Sequence, residues 1–268
     1  MPKDKGRIVV VTSGKGGVGK TTATANIGAA LADLGKNVCL VDMDIGLRNL
    51  DILMGLENRV VYNLVDVIEG TCKVKQALVK DKKMPNLALM PAAQTRDKTA
   101  VNAEQVKGLV TELAELFDFV VIDCPAGIES GFQNSIAGAD EAVVVVTPEM
   151  SSVRDADRIV GLLEARKDEL DKYRLIVNRL KPGLVETNDM MSVEDVQEIL
   201  SIDLVGVVPD DEAVVISTNK GEPLSLTSNK LAGQAYRNIA KRLLGEDVEF
   251  LKLNKSKGIF RKIKALFS

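Results

Sequence analysis

The chain predicts one α/β domain built on a doubly wound, mostly parallel sheet, and three observations carry that expectation. Its strand candidates are continuous runs of β-branched and aliphatic residues, as strands buried on both faces require. Helical patterns separate those runs one by one. A glycine-rich turn joins the first run to the first helical pattern, as in the opening strand–turn–helix unit of such sheets.

In order, Ile8 to Val11 reads as a strand and Thr22 to Leu34 as a helix, with Gly35 placed to stop it. Val38 to Val41 is a second strand, ending at Asp42. Helical patterns follow at Tyr62 to Ile68 and Asn102 to Phe117. Further strands are expected at Leu87 to Met90, Phe119 to Ile122, Ala142 to Val146, Leu175 to Val177 and Leu204 to Val208. Ser151 to Arg166 is an amphipathic helix, and Ser192 with Asp195 opens another, to Leu200, with a capping-box pattern. No linker or repeat interrupts this up to about Leu251. Residues 1–251 are therefore expected to form the domain and 252–268 a linker and terminal amphipathic helix.

The turn reads Gly14, Lys15, Gly16, Gly17, Val18, Gly19, Lys20, Thr21, with Thr22 beginning the helix. Its glycines let successive N–H groups converge on phosphate oxygens, and the helix N-terminus adds free donors and partial positive charge. Lys20 is expected to reach the β- and γ-phosphates and the Thr21 hydroxyl to ligate Mg²⁺. The motif predicts a nucleoside triphosphate as ligand.

Composition narrows the chemistry. At 46% hydrophobic and 27% charged, the chain is ordinary for a soluble domain. With no Trp and 3% aromatics its core must be aliphatic, and with no histidine no imidazole can act as base or ligand. Cys39, Cys72 and Cys124 lie far apart without CxxC spacing, which argues against zinc or a disulfide framework and suits a reducing cytoplasm. The PKDKGR start is too short and polar for a secretory signal, and no apolar run is long enough to span a bilayer.

Ligands of such sheets sit beyond the carboxyl ends of the strands. Asp42 and Asp44 follow the second strand, and Asp123 follows the run FVVI. With a P-loop in the same sheet, Asp123 is the expected Walker B carboxylate, holding Mg²⁺ directly or through water.

KGGVGKTT resembles the deviant Walker A motif of the MinD/ParA family. VDMDIGLRNLD and DCPAGIES resemble that family's switch I and switch II, and the likeness extends from Arg7 to about Leu244. The resemblance implies a slow, switch-like ATPase using ATP and Mg²⁺, in which Lys15 crosses a homodimer interface to the partner's nucleotide. On its residues alone, Lys15 reads as readily as a solvated loop lysine. By the same resemblance Asp44 orients the attacking water and Asp42 supports the metal or its waters. Asn178 and Arg179 match the position that bonds the adenine edge, and VPDDEAV, with Pro209 and Asp211, matches the segment closing over the base. Arg154, Asp155 and Asp157, in SSVRDADR, fall on the surface that receives the division inhibitor MinC and, where present, MinE. Nitrogenase iron protein, a relative, would need cluster-bridging cysteines that this chain lacks.

The tail has its own character. From Lys252 to Ser268 there are six Lys/Arg and no Asp/Glu, against 29 basic and 38 acidic residues elsewhere. On a helix, Ile259, Phe260, Ile263, Leu266 and Phe267 fall within an arc of about 120°, with Arg261, Lys262 and Lys264 opposite and flanking. Such a helix suits an anionic membrane surface, Phe and Ile beneath the headgroups. The alternative is a terminal helix packed on the domain. The expected location is the cytoplasm and the inner face of the cell membrane, with division-site control as the role. A ParA-like partitioning ATPase, its basic tail meeting DNA, is the competing function; the membrane reading expects no nucleic acid.

Overall fold

The computed structural model describes residues 5–168 and 170–253. The expected membrane-facing residues, Ile259, Phe260, Ile263, Leu266 and Phe267, lie outside them. Eight strands form one sheet: β1 (Arg7–Thr12), β2 (Val38–Asp42), β3 (Val79–Lys80), β4 (Leu87–Met90), β5 (Phe119–Asp123), β6 (Glu141–Val146), β7 (Lys172–Leu180) and β8 (Asp203–Pro209). Their order is β3-β4-β2-β5-β1-β6-β7-β8, all parallel except the β3–β4 pair. The two-residue β3 was not expected, being too short to leave a pattern.

Twelve helices accompany the strands among the described residues. Around the first half of the sheet lie α1 (Lys20–Asp33), α2 (Leu50–Leu53), α3 (Leu64–Ile68), α4 (Val74–Ala77), α5 (Ala103–Leu116) and α6 (Ser130–Ile136). Then come α7 (Met150–Glu164), α8 (Pro182–Glu186), α9 (Val193–Leu200), α10 (Glu212–Asn219), α11 (Leu224–Thr227) and α12 (Leu231–Leu243). The capping box on α9 forms as its sequence requires: the Asp195 N–H donates to Ser192 Oγ at 3.0 Å and the Ser192 N–H returns to Asp195 Oδ2 at 2.8 Å.

Alternate residues of β1 enter opposite layers, which is why its run carries no polar position. Ile8 and Val10 pack with Leu113, Ile159 and Val196 from α5, α7 and α9, whereas Val9 and Val11 pack with Ile27, Leu31 and Ile239 from α1 and α12. Each fully buried aliphatic side chain here contributes about 2 kcal/mol of transfer free energy. Helix α1 is buried almost all round, between the sheet and the α11–α12 pair. Its small residues permit this: a Cβ on Gly28 would stand 2.1 Å from Leu40 Cδ2.

At the amino ends of the strands, Glu141 accepts from the guanidinium groups of Arg7 and, at 2.8 Å, Arg174. Arg7 also donates to the Leu243 carbonyl at 2.7 Å and lies 5.0 Å from the Phe119 ring centroid. At the carboxyl ends, the sheet divides at β1: the chain crosses to β5 and β2 on one side and to β6 on the other. Register places Val11 beside Asp123 and Asp123 beside Asp42. The P-loop leaves β1 at that point.

Candidate nucleotide-binding site

The loop between β1 and α1 owes its shape to glycines, each for a different reason. Gly17 (φ +78°) and Gly19 (φ +97°) take left-handed backbone, and Gly19 caps α1. A Cβ on Gly19 would stand 2.4 Å from Asn178 Nδ2, which donates to the Val18 carbonyl at 2.7 Å. Gly14 is needed by α7: a Cβ there would meet the Asp155 backbone carbonyl at 2.2 Å. Gly16 is exposed and its neighbourhood open. Lys20 and Thr21 follow at the first turn of α1, with Lys20 buried.

Beside that turn stands Asp123, 2% exposed at the end of β5. Burial, and then the charge of Asp42, push its carboxyl up to about 8, against a downward pull from Thr21, Lys20 and Thr24. Thr24 Oγ1 donates to Asp123 Oδ1 at 3.3 Å. Sequence reading missed Thr24; its place three residues after Thr21, on the same helix face, was the available signal. A hydroxyl and a carboxylate next to a phosphate cradle fit Mg²⁺, which keeps several waters and takes few protein oxygens. Among the described residues no group of three or more His, Cys, Asp or Glu has a metal-binding arrangement.

Asp42 has a second task that sequence did not reveal. Its Oδ1 accepts the Asp44 N–H at 2.9 Å, and its Oδ2 accepts those of Asn49 and Leu50 at 3.2 and 3.1 Å. Most of its lone pairs thus hold the loop, leaving it more suited to a metal-bound water than to the metal. Burial pushes its carboxyl up too, opposed by the Asp44 and Leu50 N–H groups. Asp44, half-buried, has its own carbonyl closed on by the N–H groups of Leu47 and Arg48. Arg48 adopts φ +45°, held there by Nε donating at 2.7 Å to the buried Asp51.

The four residues assigned to the base come together. Asn178, Arg179, Pro209 and Asp211 line one cavity of about 260 Å³ with Gly19 and Thr22, Val214, Val215 and Tyr236. Strand β7 delivers Asn178 and Arg179, its neighbour β8 ends in Pro209, and Asp211 follows two residues on as the N-cap of α10. Since Asn178 spends its Nδ2 on Val18, its Oδ1 remains as an acceptor. Tyr236, from α12, escaped sequence reading because only packing of α12 against α1 brings it here.

Lys15 points away from this cavity. Its Nζ lies 3.0 Å from Ser151 Oγ and 3.8 Å from Glu149 Oε2, at the start of α7. On the same helix Arg154 and Asp157 are exposed and Asp155 half-buried. Cys39 and Cys124 are buried free thiols, pushed up by burial and away from any reactive role.

A family model, the CobQ/CobB/MinD/ParA nucleotide binding domain, matches residues 9–224. The chain belongs to the MinD/ParA family. Septum site-determining protein MinD of Bacillus subtilis is 57% identical over 264 residues, 98% of each chain. A chain of the MinC:MinD cell division protein complex of Aquifex aeolicus superposes with a TM-score of 0.84 at 47% identity, covering 92% of this chain and 98% of that one. Septum site-determining MinD of Pyrococcus horikoshii, complexed with Mg-ADP, gives 0.79 at 28% identity over 88% and 95% of the two chains. This domain carries its P-loop between a central parallel strand, β1, and a buried helix, α1.

Proposed function

We propose that this chain is a MinD-type switch ATPase that controls septum placement. It binds Mg-ATP, dimerises with two nucleotides at the interface, attaches to the inner face of the membrane and recruits MinC. The convergence of Lys20, Thr21 and Asp123 with the Asn178–Asp211 cavity at one point of the sheet carries this reading. Its names come from the septum-site relatives and the MinC:MinD complex.

Thr21 and Asp123 would hold Mg²⁺, which would supply electrostatic stabilisation of charge developing on the phosphates. Lys20 supplies a cation at the β/γ bridge. Asp44 orients the attacking water, its loop fixed by Asp42 and the Arg48–Asp51 pair. Lys15 leaves Ser151 and Glu149 to reach the partner's nucleotide, stabilising charge in trans. Two terminal amphipathic segments on one dimer then bind lipid together, raising avidity by about 10²–10⁴ over one. Hydrolysis separates them. Arg154, Asp155 and Asp157 form part of the MinC surface.

Co-sedimentation with anionic vesicles tests the reading. Protein with ATP should pellet with vesicles and protein with ADP should not, while DNA should retain neither. Equal vesicle binding with both nucleotides would sink the switch, and ATP-dependent retention on DNA alone would favour a partitioning ATPase.

A further inference from the structure

Helix α12 buries a stripe of Ala232, Ala235, Tyr236, Ile239, Ala240 and Leu243 against α1 and β8. Every member is aliphatic or small except Tyr236, whose ring sits 1% exposed in that layer. Packing alone would be met equally by phenylalanine, and a buried phenol normally finds a hydrogen-bond partner. This hydroxyl has none among the described residues.

Two other buried side-chain atoms also lack partners, Asp51 Oδ1 and Thr147 Oγ1, and both are sealed from solvent. The Tyr236 hydroxyl is not sealed, so it opens onto the space its residue lines, the cavity of about 260 Å³. Burial raises the phenol above its ordinary range although the Arg179 charge opposes this, so the group stays neutral and keeps its proton to donate.

Within the cavity, Gly19 and Thr22 mark the end nearest the phosphates. Pro209, Val214 and Val215 supply apolar walls away from it, suited to a planar heterocycle. Asn178 and Tyr236 are the buried polar groups of that lining, Asn178 being 5% exposed. One Nδ2 hydrogen of Asn178 goes to the Val18 carbonyl, which leaves its second Nδ2 hydrogen and its Oδ1 for a ligand. A base presents several polar atoms along its edge, and the Tyr236 hydroxyl is a second buried group, on a different element, that can pair with one of them.

We propose that the Tyr236 hydroxyl is a base-binding group of the nucleotide site, hydrogen-bonding the purine from the cavity floor. The inference rests on the ATP reading of that site and adds a residue from a helix outside the P-loop and switch segments. Because the group contacts the base and not the phosphates, it acts on affinity and leaves phosphate binding alone.

The test compares wild type with Tyr236→Phe by calorimetry, using ATP, 2′,3′-dideoxy-ATP and inorganic triphosphate. The variant should bind ATP and dideoxy-ATP about fivefold to tenfold more weakly, as loss of one buried hydrogen bond implies, and triphosphate unchanged. ATP affinity within twofold of wild type would overturn the proposal. So would an equal loss with triphosphate, which would assign the hydroxyl to the fold. A loss with ATP but not dideoxy-ATP would overturn it in favour of the ribose. Wild-type protein that fails to bind ATP overturns the nucleotide reading, and this inference with it.

Discussion

At the amino ends of the strands Glu141 lies between two guanidinium groups, with Arg7 further fixed by a carbonyl and an aromatic ring. At the carboxyl ends Asp42 and Asp123 face one another across adjacent strands, both almost fully buried and both pushed up in pKa. One end has its carboxylate paired within the chain. The other holds buried carboxylates with Lys20 as the neighbouring cation. Such a buried pair is costly unless something else completes it, and a magnesium-bound triphosphate would do so on the proposed reading.

Lys20→Ala should break the comparison most sharply. It removes the cation aimed at the phosphates, and ATP turnover should fall about 10³-fold, comparable to losing a preorganised transition-state donor. The unfolding temperature of the nucleotide-free protein should stay within a few degrees of wild type. A phosphate-release assay and thermal melts check the two halves together.

Glu141→Ala should do the reverse. It leaves Arg7 and Arg174 facing each other at the buried amino end, a loss of about 2 kcal/mol after discounting the partly exposed Arg7. For a domain this size that is roughly a 4–8 °C drop in melting temperature. ATP affinity should be unchanged. A variant that lost ATP affinity and kept its melting temperature would show that the two ends are not separable.

The smallest effect concerns protons. Because the folded-state pKa of Asp123 is raised, the neutral carboxyl's contribution is fully present below about pH 4 and is lost as pH rises through about 8. Nucleotide- and metal-free protein should therefore lose stability from pH 5 to pH 8. Asp123→Asn should flatten that fall, gaining on the order of 1 kcal/mol over wild type at pH 8 and little at pH 5. Melting curves in the two buffers measure it, and a variant parallel to wild type would contradict the shift.

The sheet and the phosphate end were legible because their signals are local. Continuous apolar runs announced every strand but β3, and the spacing from Gly14 to Thr21 announced the loop. Asn178, Arg179, Pro209 and Asp211 were named from family likeness and do line one cavity. What escaped was tertiary. Helices α2, α4, α6, α8 and α10 to α12 were not anticipated, and Tyr236 lies 217 positions from Gly19 yet shares its cavity. Asp42 reads in sequence as a strand-end carboxylate; that its oxygens hold the backbone of Asp44, Asn49 and Leu50 depends on how the loop folds back. Glu141 bridges Arg7 and Arg174 only because β1, β6 and β7 are neighbours.

The gap between Gly14 and Asp155 behaves as a fixed mechanical clearance. One methyl group at position 14 would force the loop or the start of α7 to retreat by about an ångström or more, since nonbonded carbon contacts settle near 3.5–4 Å. An alanine scan of the loop accordingly measures different things along its length: backbone handedness at Gly17 and Gly19, and the seating of a helix at Gly14. Arg154 and Asp157 ride on that helix. The thickness of one residue in the phosphate loop thus sets where a surface on another element is presented.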